Sequence, residues 1–154
     1  MDHSLSNREI EKILASQDIQ GEVLAYPDLV KKKRLEDLLP VTVINYLTKE
    51  NYGHWCCLFH NKDGIEFFDS YGLEPDEELN WNFPEYFKKK YNEDYPHLLR
   101  LMFKSGLPIN YNPYQFQQKG KGIATCGRHV IVRLCFRNLS DKQYKKLILT
   151  LCQR

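Results

Sequence analysis

The sequence predicts an α+β domain, and three observations carry that expectation. Residues 41–47 form a β-branched run, followed by two apolar runs, 54–60 and 65–69, joined through Asn61-Lys-Asp-Gly64. Ser6-Asn-Arg-Glu9 and Ser140-Asp-Lys-Gln143 each set a serine three residues ahead of Glu or Gln, the capping-box sign of a helix start. After Cys126, Val130, Ile131, Leu134 and Cys135 recur at helical spacing.

From the N-terminus, Ser6 opens an amphipathic helix through about residue 14, ended by Gln20-Gly21. Tyr26-Pro27 breaks the chain, and residues 29–39 form a short basic helix stopped before Pro40. Residues 41–47 are the first strand, while 54–60 and 65–69 form a hairpin with Gly64 available for its turn. Residues 75–84 read as an acidic, turn-rich surface loop, and residues 86–91 as a short basic helix. Residues 98–103 and 109–114 are expected strands, the second cut short by Pro113. Lys119-Gly-Lys-Gly122 is a flexible loop, residues 126–136 a helix, and Ser140 starts a last helix through about residue 151.

A length of 154 residues, 42% apolar content, ten tyrosines and eight phenylalanines fit one folded, aromatic-rich domain over residues 1–154. No apolar run approaches the roughly 18 residues of a membrane span, and the N-terminus lacks a signal-peptide pattern. A soluble protein made in the cytosol, with no membrane partner, is therefore expected. Five irregularly spaced cysteines fit reduced thiols better than a disulfide framework. The net charge of +2 gives no global pull toward nucleic acid. Its positive charge is nonetheless clustered, in Lys31-Lys-Lys-Arg34, in Lys88-Lys-Lys90 and in Lys119 with Lys121. Solvated surface is the default reading of such clusters; a site for a polyanion is the sharper one.

Tyr52-Gly-His-Trp, Phe67-Phe-Asp-Ser-Tyr-Gly72 and Ala124-Thr-Cys-Gly-Arg-His129 present a histidine, an acid and a cysteine in that order. Those are the groups a thiol protease needs: a base for the thiol proton, a carboxylate to orient the imidazole, and a thiolate nucleophile. If residues 61–64 close the hairpin, His60 pairs with Ile65 and Cys56 with Asp69. His54 then lies diagonally across from Asp69, about 7–8 Å away between α-carbons. A slip of one residue would send Asp69 to the opposite face. Thr125 is a candidate N-cap, Gly127 admits close backbone approach, and a thiol at a helix N-terminus is biased toward thiolate. Cys56, Cys57, Cys135 and Cys152 are expected to be buried small hydrophobes.

Cys126-x-x-His129 and Cys56-x-x-x-His60 contain zinc-ligand types, but no second pair completes a four-ligand spacing. No metal or cofactor is expected. Gln115, Gln117 and Gln118 stand upstream of Cys126, where a side-chain amide beside a backbone N–H could hold an oxyanion.

At these residues the chain resembles the adenain-like and ubiquitin-like-protein-specific cysteine proteases, which use the order His, Asp or Glu, Gln, Cys. The motifs carrying the resemblance are Gly53-His54-Trp55, Phe68-Asp69-Ser70-Tyr71-Gly72 and Thr125-Cys126-Gly127, and they cover roughly residues 40–136. The compact proteases of virophages and Polinton-type elements are the most similar in pattern. The resemblance implies a small mixed β-sheet flanked by helices, with the nucleophile at the N-terminus of a central helix. It implies His54 as general base, Asp69 as its orienting acid and Cys126 as nucleophile. The oxyanion glutamine departs from the pattern: Gln117 stands nine residues before Cys126 and Gln118 eight, further upstream than in relatives. Gln117 is favoured, with Gln118 left open.

The function implied is a viral maturation protease processing capsid or other virion precursors, located in the virion and the host cytoplasm. The resemblance also makes nucleic acid a candidate activator, since some adenain-like proteases are activated by DNA. A deconjugating enzyme for ubiquitin-like modifiers and an inactive peptide-binding homologue are the alternatives.

Overall fold

The computed structural model describes residues 5–49, 52–80, 85–90, 95–117 and 126–152. Among the described residues, five strands lie in chain order across one sheet: β1 (Glu22–Ala25), β2 (Val41–Lys49), β3 (Tyr52–Asn61), β4 (Gly64–Asp69) and β5 (Ile109–Tyr111). The three middle strands are antiparallel, while β1 joins β2 and β5 joins β4 in parallel. The helices are α1 (Asn7–Ser16), α2 (Glu85–Lys90), α3 (His97–Ser105), α4 (Cys126–Cys135) and α5 (Asp141–Cys152). The fold is mixed α+β.

The middle strands bury apolar residues at consecutive positions, Trp55 to Phe59 and Phe67 with Phe68, because both sheet faces are covered. With a side-chain period of two, Ile44, Tyr46, Cys56, Leu58 and Phe67 fall into one core with Leu29, Leu35 and Leu38 of two 3-10 helices and Leu98 and Leu101 of α3. Val43, Trp55, Cys57, Phe59 and Phe68 fall into the other, with Ile10 and Leu14 of α1, Val130 and Leu134 of α4, and Tyr144 of α5. Both serine caps form. Ser6 Oγ accepts from Glu9 N at 3.2 Å and Ser140 Oγ from Gln143 N at 3.2 Å, while each partner's side chain accepts from the serine N–H. Each cap contributes about 1 kcal/mol.

Several expectations are corrected. Residues 98–103 belong to helix α3, not to a strand. Leu98, Leu101 and Met102 are buried at i, i+3, i+4, Phe103 is exposed, and Gly106 ends the helix in the left-handed region at φ 68°. The single helix expected over 29–39 is two 3-10 turns, Tyr26–Lys31 and Leu35–Leu38. Strand β5 is shorter than expected, ending at Tyr111.

The acidic segment after β4 is not a solvated loop, since Asp76 and Glu78 are only 4% and 2% exposed. Asp76 Oδ1 accepts from the Tyr46 hydroxyl at 2.6 Å and its Oδ2 from Leu99 N at 2.9 Å, which offsets the burial of its charge. Cys135 is exposed, not buried, because it ends α4 on the side away from Val130 and Leu134. The loop over 119–122, the Thr125 cap, Gln118 and the side chain of Cys152 lie outside the described residues.

Candidate active site

The β3–β4 hairpin closes through Lys62 and Asp63, and its register pairs His60 with Ile65 and Cys56 with Asp69, as the sequence predicts. The diagonal neighbour of Asp69 is then His54, whose Nε2–H donates to Asp69 Oδ1 at 2.9 Å. Both groups are buried, the two side chains being 5% and 2% exposed. Gly53 is required beside them. A Cβ there would stand 1.9 Å from the Tyr46 carbonyl oxygen, so β2 and β3 close together only over a glycine.

Cys126 begins α4, and the Trp55 backbone N–H donates to its Sγ at 3.4 Å. At Gly127 an added Cβ would press at 3.3 Å on both Leu5 and Trp55, so the start of α4 sits directly on β3. His54 spends Nε2 on Asp69, which leaves Nδ1 for the hydrogen bond its ring makes with the Cys126 sulfur.

Electrostatics follow from these contacts. Burial pushes the Cys126 thiol up, but the His54 hydrogen bond and charge outweigh it, aided by the N–H groups of Trp55 and Gly127; the net shift is downward. Burial also disfavours imidazolium at His54, yet the charges of Glu78 and Asp69, with the hydrogen bonds to Asp69 and Cys126, carry its pKa well above the usual value. For His54, the stability gained from the charged form is complete below the ordinary histidine pKa and is lost as pH rises through the raised value. For Cys126 it is complete above the ordinary thiol pKa and is lost as pH falls through the lowered value. Both shifts favour the charged forms, thiolate on Cys126 and imidazolium on His54.

Asp69, Ser70 and Tyr71 each have a task in this arrangement. Tyr71 stacks on the His54 ring at 4.4 Å with 14° between planes, and its N–H donates to Asp69 Oδ1 at 2.8 Å. The buried Asn112 side chain donates to the Asp69 carbonyl at 3.0 Å and to the Tyr114 carbonyl at 2.8 Å, tying the following segment to the turn. Ser70 Oγ–H donates to Gln117 Oε1 at 2.7 Å, and the Ser70 carbonyl accepts from Gln117 N at 3.1 Å. With Oε1 held by Ser70, Nε2 is the donor end of the Gln117 amide.

The structure thus brings together His54, Asp69 and Cys126, and it fixes Gln117 to the same turn. Sequence reading missed Ser70, Tyr71 and Asn112 as supports, although Ser70 and Tyr71 lay inside a motif it had singled out. It also missed Glu78. His54, Asp69 and Glu78 each offer a ligand-type atom, all within 4.8 Å of one another. The His54 nitrogens, however, serve a carboxylate and a sulfur, so the ring has no lone pair spare for a metal.

No family model matches the chain. Over 153 residues it is 37% identical to Uncharacterized protein V9 of Sputnik virophage, an alignment covering 97% of this chain and 85% of that protein. The chain belongs to the same family as this virophage protein.

Proposed function

We propose that the chain is a cysteine endopeptidase with an adenain-like fold, processing capsid or other virion precursors during maturation. One observation carries the reading: a helix-start thiol with lowered pKa is hydrogen-bonded to an imidazole whose other nitrogen donates to Asp69 at 2.9 Å. In this mechanism the Cys126 thiolate adds to the scissile carbonyl, and the oxyanion is met by Gln117 Nε2 and the Cys126 backbone N–H. Imidazolium at His54 then gives its proton to the departing amine, leaving a thioester on Cys126. Neutral His54 next takes a proton from water, whose hydroxide attacks the thioester, and the acid product leaves as the Cys126 thiolate and the His54 imidazolium are restored. The virophage relative supports a viral setting, and we place the protease in the virion and the host cytoplasm. Packaged nucleic acid is the activator we would test first, at the exposed Lys31, Lys33 and Arg34.

The test offers the purified protein the co-encoded capsid precursor and, separately, a ubiquitin-like precursor. Defined cleavage of the capsid precursor alone supports the proposal. Cleavage of the ubiquitin-like precursor alone makes the chain a deconjugating enzyme, and cleavage of neither withdraws the viral substrate.

The Ser70 contact separates the glutamines. Replacing Gln117 by Ala should lower kcat about 100- to 1000-fold with a small change in KM, the usual loss for one oxyanion donor. Ser70→Ala should lose part of that amount, because Oε1 is then unheld and the amide can turn over. Steady-state kinetics of the two variants checks this; unchanged kcat in Gln117→Ala would remove the residue from the mechanism.

A further inference from the structure

We propose that Glu78 is a positioning residue for His54: its buried carboxylate, within 4.8 Å of His54 and Asp69 ligand-type atoms, holds the ring as imidazolium opposite the Cys126 sulfur. The proposal rests on the protease reading for its meaning, though not for its test.

The chain brings Glu78 there by a built route. After Asp69 it turns, with Gly72 N–H donating to the Asp69 carbonyl at 2.9 Å, and it reaches Asp76. The Asp76 N–H donates to Tyr46 Oη at 3.1 Å, while its carboxylate accepts from that hydroxyl and from Leu99 N. Tyr46 is the residue of β2 that pairs with His54 on β3. Anchoring Asp76 on Tyr46 therefore seats the 3-10 helix Glu77–Asn80 beside the imidazole, and Glu78 is its buried member.

The groups facing His54 can be named from every side. Asp69 and Tyr71 face it from the end of β4, Cys126 and His129 from the first turn of α4, and Glu78 from the 3-10 helix. The opposing charges are two carboxylates and the sulfur. His129 works against the imidazolium, since burial and then the charge on His54 lower its own pKa. Burial strongly disfavours a cation here, and a carboxylate at this range opposes that cost. Asp69 receives the hydrogen bond and fixes the ring's direction; Glu78 adds charge.

The test titrates His54 by NMR in the full chain, wild type and three variants. Glu78→Gln should lower the His54 pKa by about one unit or more, as loss of an opposite charge at this range does. Cys126 alkylation by iodoacetamide at pH 6 should slow several-fold with it, because less imidazolium means less thiolate. Glu78→Asp should recover most of both, and Glu77→Gln, one residue away on the same turn, should leave both unmoved. Should Glu78→Gln fail to fold, the wild type still decides: the Glu78 carboxyl carbon must shift in step with the His54 titration. An unmoved His54 in folded Glu78→Gln, or a carboxyl carbon blind to His54, overturns the proposal. Neither readout needs a substrate, so a chain that cuts no peptide but shows the shift loses the protease reading alone.

Discussion

Cys126→Ala should abolish peptide cleavage while lowering the melting temperature only modestly. Removing the nucleophile of a triad costs about a million-fold in rate where it has been measured, so turnover should fall to background. The structural cost is small. One sulfur is lost from a side chain at the start of α4, and the Trp55 N–H and the His54 ring each lose a hydrogen-bond partner while Asp69 still holds the ring, together about 2 kcal/mol. At this chain length that is about 4–8 °C. Cys56 and Cys57 supply the contrast. Both are fully buried in β3, and burial pushes both thiols up, so neither is a nucleophile at neutral pH. Cys57→Ala should keep its cleavage rate and lose stability instead. Turnover and a melting curve measured on the same preparations decide the matter, and full activity in folded Cys126→Ala would end the assignment.

The parts of this site that were legible in the sequence are those governed by short-range rules. A two-residue turn at Lys62 and Asp63 sets the hairpin register, a side-chain period of two follows from it, and the pairing of Cys56 with Asp69 then places His54 beside the acid. Capping boxes at Ser6 and Ser140 are equally local. Helix α3 was not legible, because a short, mostly apolar stretch such as 98–103, broken only by Arg100, suits either a strand or a helix. Its burial at Leu98, Leu101 and Met102, with a left-handed Gly106 behind, is set by what it packs on.

Glu78 was hidden for a stronger reason. An acidic, proline-flanked segment reads as solvated by composition, and only the long-range bonds of Asp76 to Tyr46 and Leu99 turn it inward. Gln117 lies between these cases. The resemblance favoured it, and the Ser70 hydroxyl gives a physical reason that spacing alone did not.

Arg133→Met should destabilise the fold by about 3–5 kcal/mol, the usual cost of leaving buried charge without its partner. Arg133 is fully buried in α4. Its Nη2 donates to Glu66 Oε2 at 2.7 Å and to the Leu139 carbonyl at 2.9 Å, lies 3.5 Å from Asp141 Oδ1, and its Nη1 donates to the Phe136 carbonyl at 2.9 Å. The guanidinium also stands 5.0 Å from the Phe59 ring centre and 4.7 Å from that of Tyr144. Burial, then the hydrogen bond and charge of Asp141, push the Glu66 carboxyl up to about 8 against the pull of Arg133.

With the arginine gone, Glu66 and Asp141 face each other alone, and a melting temperature lower by about 6–20 °C is expected. A carboxyl whose pKa is raised on folding favours the fold fully below its unfolded value, and that contribution is lost as pH rises through the folded one. The defect should therefore be larger at pH 9 than at pH 6, and Glu66→Gln in the same chain should restore part of it. Glu66 belongs to the strand that ends in Asp69, and Arg133 to the helix that begins at Cys126. This network ties the strand of Asp69 to the helix of Cys126, so under the protease reading cleavage should fall along with stability. Melting curves of both variants across pH, read beside turnover, check the prediction; an unchanged melting temperature in Arg133→Met would show that the network holds nothing together.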